Sequence, residues 1–373
     1  MLGFGLVIPI FPFYIEELGA GGSELGLLVA TAALLEFTFA PLWGSVSDRI
    51  GRKPVLIIGM VGYGLSSLLM GLSTALWMLF AARALSGVLS SATMASALAY
   101  VGDSTTEEDR GGGMGFLGAA MALGIIVGPG VGGWLAGDSL SIPFFIAAGM
   151  SLLALVFILV LLPESLPAVA RQRPVGRVKV VQFGALWRSL FSPVGILLLM
   201  VALFSFALTN FEAVFGLYAL EKFDYGPERV GTILMVVAVV STIGKAALAG
   251  PATKRWGEAT VIKASALLGS IGFLVLLAAD TYVTILLATG FFILSKTLLR
   301  PAAFALISKR AAGTQGAAMG LSNSFVSLGR IAGPIWAGFI FDVDLNYPYL
   351  SGAAIMFAGF LASLVWVRQE SET

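Results

Sequence analysis

The chain has 373 residues, of which 58% are hydrophobic and only 12% charged, with a net charge of +1. That is about half the charged fraction of a soluble globular domain, so the excess apolar surface has only lipid to face, and near-neutrality gives no case for nucleic-acid binding. Cysteine and histidine are absent. Disulfides, thiolate metal sites and imidazole chemistry are thereby excluded, and carboxylates tuned by basic groups are left to carry any proton.

A helix that crosses a bilayer needs about 20 mostly apolar residues. Eleven runs meet that length: 24–46, 54–73, 76–102, 113–136, 142–162, 193–220, 230–250, 261–279, 282–307, 315–341 and 347–367. The opening run, 1–18, is short and begins abruptly at Met1-Leu2-Gly3, so it reads as a first helix lacking part of its start. The expectation is an all-α membrane protein of twelve spans in two six-helix halves, 1–163 and 193–373, joined by a linker at 164–192. No secretory signal with a small-residue cleavage site is visible.

Basic residues in the loops set orientation. The connections near 47–53, 103–112, 164–192, 251–263 and 308–314, with the C-terminal end, hold 15 Lys and Arg, and the opposite connections hold only Lys222 and Arg229. The basic side is expected to be cytoplasmic, with both termini inside and the protein in the cell (inner) membrane. The remaining five basic residues, Arg83, Lys245, Lys296, Arg300 and Arg330, fall within spans.

Two unrelated motifs repeat at nearly one spacing. Gly44, Asp48, Arg49 and Gly51 are followed 206 residues later by Gly250, Lys254, Arg255 and Gly257, and Gly128-Pro129 is followed 205 residues later by Gly333-Pro334. This is the signature of an internal duplication. The first motif joins spans two and three in a very short turn. There Gly44 and Gly51 permit a tight reversal, and Asp48 can pair with Arg52 or Arg110 or accept from a helix N-terminus. A pair that forms in one conformation and breaks in another biases a gate. Arg49 and Lys53 complete the turn's charge; the alternative is an ordinary basic turn that sets topology. In span five Gly124, Gly128 and Gly132 recur every four residues, making a groove for close helix approach. Pro129 removes a backbone hydrogen bond there and favours a kink, and Gly133 adds to the smooth face. Gly329, Gly333, Pro334 and Gly338 form the counterpart in span eleven.

At these residues the chain resembles the major facilitator superfamily. The 44–53 turn resembles its signature loop, Arg83 with Gly87 its span-four signature, and Gly124 to Gly133 the motif of its drug:H+ antiporters; Pro163-Glu164-Ser165 after span six also fits. The resemblance covers essentially the whole chain and is strongest to bacterial multidrug and tetracycline exporters. It implies two rocking halves, each of inverted three-helix repeats, with a substrate site between them near mid-membrane. It also implies a role for Arg83 in proton coupling, the alternative being an arginine bound to backbone carbonyls.

Two carboxylates lie deep in spans: Glu36, before Pro41 in span two, and Glu212, beside Asn210 and Phe211 in span seven. A carboxylate in a low-dielectric cavity holds its proton more tightly and can exchange it for a cationic compound; a structural ion pair is the other reading for each. Glu36 departs from the family, which often has Gln there, and Thr297 stands where related exporters carry an acid in span ten. Lys296, next to Thr297, is expected either to pair with Glu212 or to bind an anionic or zwitterionic substrate, with Arg330 alongside. Lys245 and Arg300 lie nearer span ends and can snorkel. Of the 26 Phe, most are expected to face lipid or packing, although cavity-facing rings would suit flat lipophilic ligands.

The function expected is proton-coupled export of small lipophilic, cationic compounds by a monomer. Its partners are the substrate, protons and the bilayer, and no cofactor or metal is called for. An exporter of anionic or zwitterionic metabolites or lipids is the alternative within transporters, and a non-transporting receptor or scaffold is the alternative of another class. No nucleophile–base set or phosphate loop points to an enzyme.

Overall fold

The computed structural model describes residues 1–137, 139–167, 183–192, 194–311 and 315–367, and among these every regular element is a helix. The first span runs as α1 (Leu2–Val7), a 3-10 turn (Ile8–Ile10) and α2 (Phe11–Glu17). Pro9 and Pro12, which lack an N–H, stand at its two interruptions. Next come α3 (Gly22–Ile50), α4 (Arg52–Gly71), α5 (Leu76–Leu89), α6 (Ser91–Ser104), α7 (Arg110–Leu135), α8 (Ile142–Leu161) and the short α9 (Phe183–Ser189). The chain continues with α10 (Gly195–Phe223), α11 (Pro227–Trp256), α12 (Glu258–Leu277), α13 (Tyr282–Thr297), α14 (Leu299–Arg310), α15 (Gln315–Phe341) and α16 (Tyr347–Trp366). Of the expected linker 164–192, residues 168–182 lie outside the described residues.

Among the described residues, ten stretches are long and apolar enough to cross a membrane. One of them, Pro227–Leu277, holds α11 and α12, parted at Gly257, and the proline-broken α1–α2 segment makes the twelfth span. Spans four and ten, expected to be continuous, are each broken once. In span four the break is at Ser90, where the Ser91 hydroxyl bonds the Val88 carbonyl in competition with the helix ladder. In span ten it is at Leu298, and Pro301 lacks the N–H that would bond the Thr297 carbonyl.

Contacts divide the chain into two compact units. The first comprises Met1–Ala20, Thr31–Val181 and Gly226–Thr232. In it α4 packs mainly on α8 and on α5–α6, and α1 packs on α7 and α8. The second comprises Gly21–Ala30, Gln182–Tyr225 and Ile233–Thr373. In it α12 packs mainly on α16 and on α13–α14, and α10 packs on α15 and α16. The pairings are the same, displaced by six spans, as duplication of one packing scheme requires.

Helix backbones within each unit touch at glycine. A Cβ at Gly124 would lie 2.6 Å from Leu2 N, and one at Gly128 would lie 2.7 Å from Gly5 C; at Gly132 it would overlap the Leu6 carbonyl. In the second unit a Cβ at Gly329 would lie 2.7 Å from Phe206 N, and one at Gly333 the same distance from Phe206 O. The first decade of α3 belongs by contact to the second unit: Gly26 abuts Pro334 and Gly338, while the Gly22 and Ser23 N–H groups donate to the Asp342 carboxylate at 2.8 and 2.9 Å. The start of α11 belongs likewise to the first unit, where Gly231 abuts Pro129 and Gly133. Small residues at such contacts replace the hydrophobic drive that lipid cannot supply between helices. Large apolar side chains point outward, among them Phe116, 80% exposed, and Val160, 74% exposed, which suits hydrocarbon and not water.

Gly132→Ala is expected to destabilise the purified protein by about 1–3 kcal/mol, the usual range for overpacking. Gly118→Ala, on the same helix but with nothing within 4 Å of its Cβ, is expected to be neutral or to gain up to about 1 kcal/mol of helix propensity. Thermal midpoints in detergent measure both.

Candidate functional site

The charged turn between α3 and α4 is built on Gly51. Its φ is +108°, a region open to glycine, and its missing Cβ leaves room for the Glu164 carboxylate, whose carbon would otherwise stand 2.7 Å away. Glu164 accepts the N–H groups of Arg52 (2.8 Å) and Lys53 (3.2 Å), so it caps the first turn of α4 from beyond α8. The Arg52 side chain, only 10% exposed, donates to Asp48 through Nη1 and to Asp103, at the end of α6, through Nε at 2.8 Å. Its Nη1 also reaches Ser47 Oγ at 3.3 Å, and Ser47 Oγ accepts from Ser96 at the same distance. Of the two partners expected for Asp48, Arg52 is the one used. Lys53 Nζ donates to the Leu159 carbonyl at 2.9 Å. Arg49 and Arg110 are exposed, Arg110 at the first position of α7.

The second half repeats this arrangement with its charges exchanged. Gly257 also has a positive φ, +76°. Glu258 then occupies the position of Arg52, and Lys309 that of Asp103, each 206 residues on. Lys309 Nζ and Glu258 Oε1 are paired at 2.6 Å. Sequence reading noted Glu164 only within the Pro163-Glu164-Ser165 stretch and gave it no partner; it singled out neither Asp103 nor the Glu258–Lys309 pair, although the 206-residue offset, applied to Arg52 and Asp103, leads to the latter.

The deep charges fall into two groups. In the first unit Arg83, on α5, sets its guanidinium carbon 4.4 Å above the Phe11 ring of α2, a cation–π contact that offsets part of the cost of a charge within a span. Glu36, on α3, is exposed, and Trp43, two turns further along, fixes that helix to α5 by donating to the Val88 carbonyl at 2.6 Å. In the second unit Glu212, on α10, is exposed and lies close enough to Lys245 of α11 and Lys296 of α13 to act on both electrostatically. No salt bridge joins Glu212 to either, so the expected Glu212–Lys296 ion pair is not made among the described residues. Arg300 stands over the Phe304 ring, and Arg330 is exposed on α15.

Asn210 and Phe211 face inward. Asn210 is fully buried and donates to the Pro348 carbonyl (2.8 Å) and to Ser351 Oγ (3.3 Å), tying α10 to the start of α16. Phe211, 1% exposed, stacks among Phe215, Phe292 and Tyr349 with ring centres 4.9, 5.0 and 6.3 Å away. The Lys296 ammonium lies 4.6 Å from the Phe292 ring centre and 5.7 Å from that of Phe211. On α7, Gly124, Gly128, Pro129, Gly132 and Gly133 are all buried in helix contacts.

A family model described as Major Facilitator Superfamily matches residues 1–293 and 221–373. Multidrug resistance protein 2 of Bacillus subtilis is 34% identical over 372 residues, covering 100% of this chain and 93% of that protein. Multidrug resistance protein 1 of the same organism is 33% identical, covering 98% of this chain and 92% of that protein. The crystal structure of the nucleoside transporter NupG superposes with a TM-score of 0.80 over 99% of this chain and 96% of that one. At 16% identity that likeness is one of fold alone.

Arg52→Glu is expected to lower the thermal midpoint, because it places a carboxylate between Asp48 and Asp103. Adding Asp103→Lys recreates the Glu258–Lys309 arrangement and is expected to recover part of the loss. A double-mutant cycle should give a coupling on the order of 1 kcal/mol, and additivity of the two changes would mean that the pair is not coupled.

Proposed function

The chain belongs to the major facilitator superfamily, and from that membership we propose that it exports small lipophilic compounds in exchange for protons. It is a multi-pass membrane transporter and not an enzyme. The observation that carries the proposal is Glu212: a carboxylate midway along a membrane-spanning helix, exposed, and held in no salt bridge among the described residues. An acid so placed can take up a proton and release it, and it can attract a cation while ionised. The drug resistance named for the two Bacillus relatives, alike over nearly the whole chain, supports lipophilic compounds as the cargo.

In this reading Glu36 and Glu212 alternate between proton and substrate, and Arg83 biases the ionisation of the first half. The cluster of Asp48, Arg52 and Asp103, with Arg49, Lys53 and Arg110 around it, is a cytoplasmic gate whose charge pairs form in one state and break in another. The glycine face of α7 lets helices slide without side chains catching, as alternating access needs. The protein sits in the cell membrane with its basic loops and both termini in the cytoplasm.

In proteoliposomes of the full chain, an imposed pH gradient is expected to drive a cationic dye against the proton flow. Glu212→Gln should cut that flux about tenfold or more, the lower range for loss of a proton-transferring side chain, and Glu36→Gln should weaken it. Gradient-driven flux that survives both changes would end the proton-exchange assignment. The absence of cysteine makes orientation simple to test. A membrane-impermeant maleimide should label Asp280→Cys on intact cells and Glu107→Cys only after permeabilisation; the reverse pattern would invert the topology.

A further inference from the structure

Lys296 has no part in the exchange chemistry just described, yet it is the costliest side chain in the second unit. Its Nζ exposes less than 1 Å² and makes no hydrogen bond. The Phe292 and Phe211 rings face it. Rings offset part of the desolvation of an ammonium, but its three donors remain unused. Two more buried polar atoms of the second unit have no hydrogen-bond partner. One is Oδ1 of Asn210, the residue before Phe211, and the other is the hydroxyl of Tyr349, whose ring packs on Phe211. A fold that needed only stability would place an apolar side chain at 296.

Basic groups predominate in the second-half spans. Glu212 is the acid, Lys296 and Arg330 are bases, and Lys245 and Arg300 add two more bases nearer the span ends. Such a set within apolar walls attracts anions.

We propose that Lys296, beside the Phe211 and Phe292 rings, is a binding site for the carboxylate of lipophilic aromatic acids. The inference rests on the export reading and narrows its substrate class. The ammonium supplies charge-assisted hydrogen bonds to the carboxylate oxygens, the two rings receive the aromatic body, and an amine on the same molecule faces Glu212.

The test uses the purified full chain in nanodiscs and two probes: a xanthene dye with a free benzoate, and its methyl ester, which is a cation of nearly the same shape. Fluorescence polarisation gives both affinities. The wild-type protein is expected to bind the free acid more tightly than the ester. Lys296→Met should weaken the free acid about tenfold or more, as loss of a hydrogen bond to a charged group does, and leave the ester unchanged or tighter. Lys296→Arg should retain most of the free-acid affinity. The unliganded Lys296→Met protein should melt at or above the wild-type temperature, since a desolvated, unpaired charge has been removed. A lower melting temperature or failure to fold would make Lys296 structural and overturn the inference. Equal weakening of both dyes, or no change in either, would overturn it too, as would unchanged free-acid binding with lost proton coupling. In each of those cases ester binding by the wild-type protein leaves the export reading standing. If the wild-type protein binds neither dye, both fall.

Discussion

In hydrocarbon no water is present to satisfy a bare N–H or C=O, so each crossing of the bilayer must close its hydrogen bonds within a helix. Most of the architecture follows from that constraint. Helices of 20 to 30 residues alternate with reversals so short that two of them, at Gly51 and Gly257, need a backbone conformation that glycine adopts readily. The helices cannot be driven together by the hydrophobic effect, because lipid is as apolar as their side chains. They gain contact by bringing backbones together where side chains are absent. Gly124, Gly128 and Gly132 against the first span, and Gly329 and Gly333 against α10, are the same solution used twice.

Duplication explains more than the helix count. The two halves keep the packing pairs and glycine contacts but exchange the signs of a charge pair. Arg52 with Asp103 in one half becomes Glu258 with Lys309 in the other. The exchange preserves an attraction between the start of one helix and the end of another while altering everything around it. In the first half the arginine also holds Asp48, and Glu164 caps the helix beneath it; Lys254 stands 206 residues after Asp48, so the exchange of sign extends to that position as well.

Charged and buried polar groups within spans are costly enough that each one calls for a physical account. Arg83 meets its cost in part with the face of Phe11. Asn210 meets its own with the backbone of α16, so it holds α10 in place and keeps only one carbonyl oxygen unbonded. Phe211 is packing for the second unit and at the same time a wall against Lys296. Structural and functional roles are thus superimposed on single residues, and a residue type alone does not separate them.

The sequence by itself determined the class of fold, the two-fold repeat and the position of the charged turn, because these depend on quantities written along the chain: the length of apolar runs, a constant offset between motifs, and the few residues able to turn sharply. The breaks at Ser90 and Leu298 were hidden, since a serine or a proline within a long apolar run can be tolerated or can divide it according to what packs alongside. Only the tertiary structure decided the partners. Asp48 chose Arg52 over Arg110, Asp103 and Glu164 joined from 51 and 112 residues away, and Lys296 was set against two rings and not in a salt bridge with Glu212. Pairing energies fall off within a few ångströms, and distance in space between residues far apart in the chain is what no local pattern records.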